Sequence, residues 1–422
     1  MTFNRRSFLS MTAIATTLAA AAACSSSDSS TSGSASTDPS AAPVRDAAAD
    51  LVIWADEKKA DSLAEIVKTW GDEQGITVAV QTVANELQSS FITANQAGNG
   101  PDLVLGAHDW IGNMVQNGSI APVTISDDAK SNFAQVALDA ITFDGQYYGM
   151  PYSVETLALY VNKALTTVTE PTTIEQLVEA GKAAGTEAVL SLPVGEKGDA
   201  YHMQPLYTSG GGYLFGKNSD GSLNPDDLGV GAEGSIAAAK KIGELGTDGV
   251  LKTSITDANA ISIFTDGKAP YLVSGPWALS DVQASGIDYS VVKVPGFEGM
   301  GEARAFAGVN VFYVASSGKN KAFAETLVAD VAKDSTFAAA MFKVNPLPPV
   351  QNDLVEQLKA DNPEMVTFTD LAGSSADPMP SIPEMSAVWS PLGKAEANIV
   401  GGADPETTMV SAGEEIKKAV KG

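Results

Sequence analysis

Few residues in this chain can carry chemistry. It has one cysteine, Cys24, and two histidines, His108 and His202, so no internal disulfide can form and little is left for a histidine-based zinc or iron centre. No His-Glu-x-x-His spacing occurs, and neither metal nor any other cofactor is expected. What remains is 51 acidic residues, 10 tyrosines and five tryptophans: Trp54, Trp70, Trp110, Trp277 and Trp389. Paired carboxyls can cleave a glycosidic bond, but no motif here holds such a pair. Rings and carboxylates can also hold a polyhydroxylated ligand by stacking and hydrogen bonding, without reaction. The 26 Lys and Arg against 51 Asp and Glu leave a net charge of −25 in 422 residues. That balance excludes nucleic acid as a partner and disfavours docking on an anionic membrane surface.

The first 23 residues read as an export signal. Arg5 and Arg6 precede a mildly apolar run, Met11 to Ala23, of 13 residues, shorter than the roughly 20 needed to span a bilayer. Asn4-Arg5-Arg6-Ser7-Phe8-Leu9 resembles the twin-arginine motif. Ala21-Ala22-Ala23-Cys24 is similar to a bacterial lipobox, which implies a lipid on Cys24. Residues 24–45 are rich in serine and read as a flexible tether between that lipid and a folded body. Loss of residues 1–23, with two arginines, would leave a mature chain of net charge −27.

Beyond the tether the hydrophobic pattern sets the elements. Leu51–Ala55 is an apolar, β-forming run, and Leu63, Ile66, Val67 and Trp70 recur at helical spacing after Asp61 and Ser62 as possible caps. A strand over 77–83, a helix over about 86–96 and a strand at 102–105 follow. Strand, helix, strand, helix, strand predicts parallel β-α-β units and an α/β fold. Further helices are expected near 173–184, 234–246, 321–333 and 405–421, with no later stretch long and apolar enough to cross a membrane.

Several strings, in order along the chain, resemble the maltose/maltodextrin-binding proteins, family 1 extracellular solute-binding proteins that serve ABC importers. They are Leu51-Val-Ile-Trp54; Gly100-Pro101-Asp102 with Ala107-His108-Asp109; Val154 to Leu159 with Asn162-Lys163; Ser274-Gly275-Pro276-Trp277; and Met379 to Trp389. The resemblance implies two α/β lobes joined by a hinge, each built from discontinuous segments. One would hold 51–153 and 312–357, the other 158–306 and 365–422. It also implies a monomeric, non-enzymatic receptor on the outer face of the cell membrane that closes on an α-linked oligosaccharide and delivers it to permease subunits.

Carried over one residue at a time, Trp277, Trp389 and Tyr201 match stacking residues of the second lobe, and Asp109 and Glu155 match hydroxyl-binding carboxylates. Met379 opens the segment that would close the groove, and Glu57 and Lys58 fall near an acid–lysine pair in a loop one residue short. The sequence also departs from the family. Gly106 stands where a tryptophan is usual and Trp110 stands four positions on, which implies a relocated platform. Asp199 replaces a longer carboxylate, and Ser390 replaces a tyrosine. These changes bear on which glucan is preferred: maltose, a longer maltodextrin, trehalose or cyclodextrin. The competing readings are a secreted glycoside hydrolase using the same carboxylates, and a surface adhesion module that binds no small sugar tightly. His108 and His202 read as structural or rim residues.

Overall fold

The computed structural model describes residues 44–421, so the signal segment, Cys24 and all of the expected tether except Val44 and Arg45 lie outside the described residues. Leu51–Ala55 is wholly buried and pairs in parallel with Val78–Thr82 on one side and Leu103–Ala107 on the other. The helices Glu57–Gln74 and Leu87–Gln96 make the connections, as the β-α-β reading requires. The first helix starts four residues before Asp61. Asp56 takes an extended backbone, and its side chain accepts the Lys59 amide at 3.0 Å, so Asp56 is the cap rather than Asp61 or Ser62.

The rest of this sheet comes from distant sequence and mixes antiparallel with parallel pairing. Asn310–Val314 of the long strand Ala305–Val314 pairs with Leu103–Ala107, its other edge pairs with Met150–Glu155, and Ala305–Ala307 pairs in parallel with Ala376–Pro378. The register slips between Asn310 and Val311, a local irregularity of the kind that re-aims side chains near sites.

A second sheet places Ala158–Asn162 between Tyr271–Ser274 and Tyr289–Val292, antiparallel to both. Only Thr156 and Leu157 separate the strands 150–155 and 158–162, so the chain passes from one sheet to the other in a two-residue step. The helix Trp389–Val400 packs on Ala200–Ser209, Glu233–Thr247 and the last helix, Pro405–Val420. The architecture is the expected α/β one, with two larger sheets served by segments that alternate along the chain and two small two-stranded ribbons beside them. Among the described residues no helix is long and apolar enough to cross a membrane.

Arg45, the last residue of the expected tether, is part of this body. Its guanidinium donates to Asp102 Oδ2 at 2.7 Å and to the Gly100 carbonyl at 3.2 Å. Asp102, fully buried, also accepts the amides of Val52 and Asn320, each at 2.8 Å. One carboxylate thus ties the N-terminal entry, the first strand and the start of the helix Lys321–Lys333.

Candidate functional site

Two turns of the same construction bring the key tryptophans out of the sheets. Leu103–Ala107 runs into a single 3₁₀ turn, His108–Trp110, and Tyr271–Ser274 runs through Gly275 into another, Pro276–Ala278. In each, the indole folds back over a glycine. A Cβ on Gly106 would run into the Trp110 ring, and one on Gly275 into the Trp277 ring. The ring of Trp110 therefore fills the space beside residue 106.

The second turn feeds an aromatic wall. Trp277 lies 6.2 Å from Tyr201, Tyr201 stacks on Phe306 at 5.9 Å, and Phe306 meets Trp389 edge-on at 5.6 Å. Phe306, from the long strand, stands between Tyr201 and Trp389, two of the three expected stacking residues, and sequence reading missed it. His202 meets Trp277 edge-on at 6.0 Å. Trp277 is the exception to burial: 39% of it is exposed, whereas Tyr201 and Trp389 are half-buried.

The carboxylates fall into two groups. Asp109 and Glu155 are desolvated: burial raises both carboxyls. Tyr201 is pushed upward by burial and then by the charges of Glu155, Asp199 and Asp109. Glu155 is raised by burial, with Lys59 and a hydrogen bond from Asn310 at 3.5 Å opposing the shift. Asp199 has a different task. As cap of the helix Ala200–Ser209, it accepts the His202 amide at 3.0 Å through Oδ1, and its Oδ2 lies 2.7 Å from His202 Nδ1. Both oxygens are engaged within its own helix, and this commitment sets the edge-on pose of His202 against Trp277.

Burial raises the Asp109 carboxyl to about 6, and its Oδ1 has no hydrogen-bond partner. The folded state therefore holds the proton more tightly than the unfolded chain, where the pKa is near 3.8. Its favourable contribution is complete below about pH 3.8 and is lost as pH rises towards 6. Asp109→Asn is thus expected to raise the melting temperature of the ligand-free protein at pH 7.5 by a few degrees, an effect of up to about 3 kcal/mol. At pH 4 the gap should close; thermal melts at both pH values check this, and an equal gap at both refutes it.

His108 is fully buried and pushed down to about 4 by that burial. Its Nδ1 accepts the Val309 amide at 3.0 Å, which leaves Nε2–H to donate to the Met379 carbonyl, also at 3.0 Å. The imidazole is a neutral strut that holds the Met379 segment against the turn carrying Asp109 and Trp110. Among the described residues no group of three or more His, Cys, Asp or Glu could hold a metal ion.

A cavity of about 560 Å³ opens on the exposed side of Trp277. Glu155, Asn310, Asp56, Lys58 and Lys59 line it on one flank. Of the expected acid–lysine pair, Lys58 faces the cavity and Glu57 does not. With Asp56 as cap, Glu57 begins the helix and points to solvent, and the ion pair at the cavity joins Asp56 to Lys59. Asn310 was missed as well, although a polar residue in the middle of Val309-Asn310-Val311-Phe312 is itself a signal. Tyr201, Trp389, Asp109, Trp110, Asp199 and Met379 do not line this cavity.

A family profile described as bacterial extracellular solute-binding protein matches residues 65–367. A galactooligosaccharide-binding protein of Bacillus subtilis (strain 168) is 28% identical over 380 residues, 88% of this chain and 90% of its own. A maltooligosaccharide ABC transporter solute-binding lipoprotein of Streptococcus pneumoniae (strain ATCC BAA-255 / R6) is 26% identical over 92% of this chain and 93% of its own. Among solved structures, a cyclo/maltodextrin-binding protein complexed with maltotetraose superposes with a TM-score of 0.78 at 28% identity, covering 89% of this chain and 99% of that one.

Proposed function

The chain belongs to the family of bacterial extracellular solute-binding proteins, and from that premise we propose that it captures α-linked oligosaccharides of the maltose and maltodextrin type and passes them to the permease of an ABC importer. The observation that carries the ligand class is the half-open face of Trp277 on a cavity whose near flank is Glu155, Asn310, Lys58 and Asp56. An aromatic face stacks on a sugar C–H face, and the carboxylates and amide take its hydroxyls. Asp109, with an unpartnered buried oxygen, Trp110, Tyr201, Trp389 and Met379 are assigned to the same ligand path, which lobe movement would bring together. Calorimetric titration of the mature chain with maltose, maltotriose, maltotetraose, trehalose and cyclodextrin tests this. Binding to none of them sinks the reading.

A galactooligosaccharide is the second reading, favoured by the Bacillus subtilis relative, and belongs in the same panel. If the carboxylates instead cleaved glycosidic bonds, overnight incubation with maltotetraose would release glucose above a buffer blank.

We assign the lobes to 51–153 with 312–357 and to 158–306 with 365–422. Asp109 and Trp110 follow a strand of the first sheet and Trp277 a strand of the second, so a sugar touching both favours the closed arrangement by its differential affinity for it. Small-angle scattering with saturating ligand is expected to give a smaller radius of gyration than without; identical curves at demonstrated saturation argue for a rigid module. We also propose a diacylglyceryl lipid on Cys24, since one acyl chain anchors only marginally and the Streptococcus pneumoniae relative is named a lipoprotein. Cys24→Ser should release the protein to the medium or leave an unprocessed precursor, and unchanged detergent-phase partitioning of processed protein refutes the anchor.

A further inference from the structure

The cavity does not stop at Trp277. The rest of its polar lining comes from Gln283 in the helix Leu279–Ala284, which continues the Trp277 turn, from Asn345 just past the helix Thr336–Val344, and from Asn362 with Glu364 at the start of the helix Pro363–Ser374. Asparagine at a helix N-cap normally bonds back to the first turn. Asn362 makes no such bond, and the residue lines the cavity. Glu364 is steadied by the Tyr289 hydroxyl, which donates to Oε1 at 3.1 Å, so its second oxygen is left to accept from another donor. This wall has no aromatic ring; its apolar surface is aliphatic, from Leu347 and Met365. Around the whole cavity Asp56, Glu155, Asp361 and Glu364 outnumber Lys58 and Lys59, a balance that favours an uncharged ligand over an anionic one.

Resting on the oligosaccharide reading above, we propose that Gln283, Asn345, Asn362 and Glu364 form a further subsite. It takes the next unit of a neutral oligosaccharide beyond Trp277 by hydrogen bonds alone, without stacking, and thereby sets the preferred chain length. Amides and a carboxylate supply both donors and acceptors, which the alternating hydroxyls of a sugar ring need and a second aromatic platform would not provide. Because a directional polar site rejects a ligand that leaves its groups unpaired, this wall discriminates more sharply than a flat ring does.

The test is a length series: glucose, maltose, maltotriose and maltotetraose titrated into the parent protein, Asn345→Ala and Glu364→Ala, with melting temperatures recorded alongside. The parent should gain affinity as the ligand lengthens, and each variant should lose that gain, on the order of tenfold for the longest ligand. The shortest ligand that binds should stay within about twofold of the parent. An unchanged ratio of long-ligand to short-ligand affinity in both variants overturns the subsite. So does equal weakening at every length, which marks a structural role. A parent that binds no member of the series overturns the oligosaccharide reading itself, a result distinct from either.

Discussion

Trp277→Ala is expected to weaken sugar binding by roughly 30- to 150-fold, a loss of about 2–3 kcal/mol. Three features concentrate the effect at this residue. Gly275 leaves room for the ring to lie back over the chain, Pro276 restricts the backbone just before it, and Tyr201 and His202 brace its inner face at 6.2 and 6.0 Å. The ring is therefore presented to the cavity with little freedom left to lose on binding, which is what distinguishes a hot-spot residue. Truncation removes the stacking surface and leaves Glu155, Asn310 and Lys58 in place, so residual weak binding should persist. Calorimetry and a thermal melt together decide the outcome. If the melting temperature falls strongly while affinity stays within about twofold, Trp277 is a packing residue and the site lies elsewhere.

The largest stability effect is expected at Asp102, far from the cavity. Asp102→Ala strands the Arg45 guanidinium, which is 7% exposed, and removes the acceptor of two backbone amides, those of Val52 and Asn320. Removing one partner of a buried pair typically costs about 3–5 kcal/mol, because the remaining charge is left desolvated. Arg45→Ala should cost less, since Asp102 keeps its two amide donors. The denaturant midpoints should thus fall in the order parent, Arg45→Ala, Asp102→Ala. Sugar affinity of the folded variants should match the parent, as neither residue lines the cavity. An Asp102→Ala midpoint equal to the parent's shows that the pair contributes nothing net.

The Asp109 prediction describes the opposing pressure at the site. A carboxyl held at about 6 with an unpartnered oxygen destabilises the ligand-free protein at neutral pH, and that cost is reasonable where a hydroxyl donor is to arrive. Asp109→Asn is expected to be more stable and to bind sugar less well. In contrast, Asp199 has spent its oxygens on capping and on His202, so its replacement should act through the pose of Trp277.

The sequence alone determined the features that repeat over short distances. Leu51–Ala55 reads as a buried strand because its apolar run is uninterrupted, and the helices at 174–183, 321–333 and 405–420 read from spacing and caps that lie within a few residues of one another. The pairing of a bare Gly106 with Trp110 four positions on is equally local, and the ring packs over that glycine. Only the tertiary structure decided what depends on partners distant in sequence. Arg45 reads as the end of a polar tether until Asp102, 57 residues away, supplies its counter-charge. Asn310 reads as an oddity in an apolar strand until strand pairing sets it opposite Ser153, where its amide donates to the Ser153 hydroxyl and to Glu155. Whether Glu57 or Asp56 met the cavity turned on which residue capped the helix, and a shift of one position rotates a helical side chain by about 100°. The wall of Gln283, Asn345, Asn362 and Glu364 had no signature along the chain at all. Local patterns follow from backbone geometry, which acts between near neighbours, whereas a binding surface is defined by which segments the packed core brings side by side, and no short-range rule encodes that.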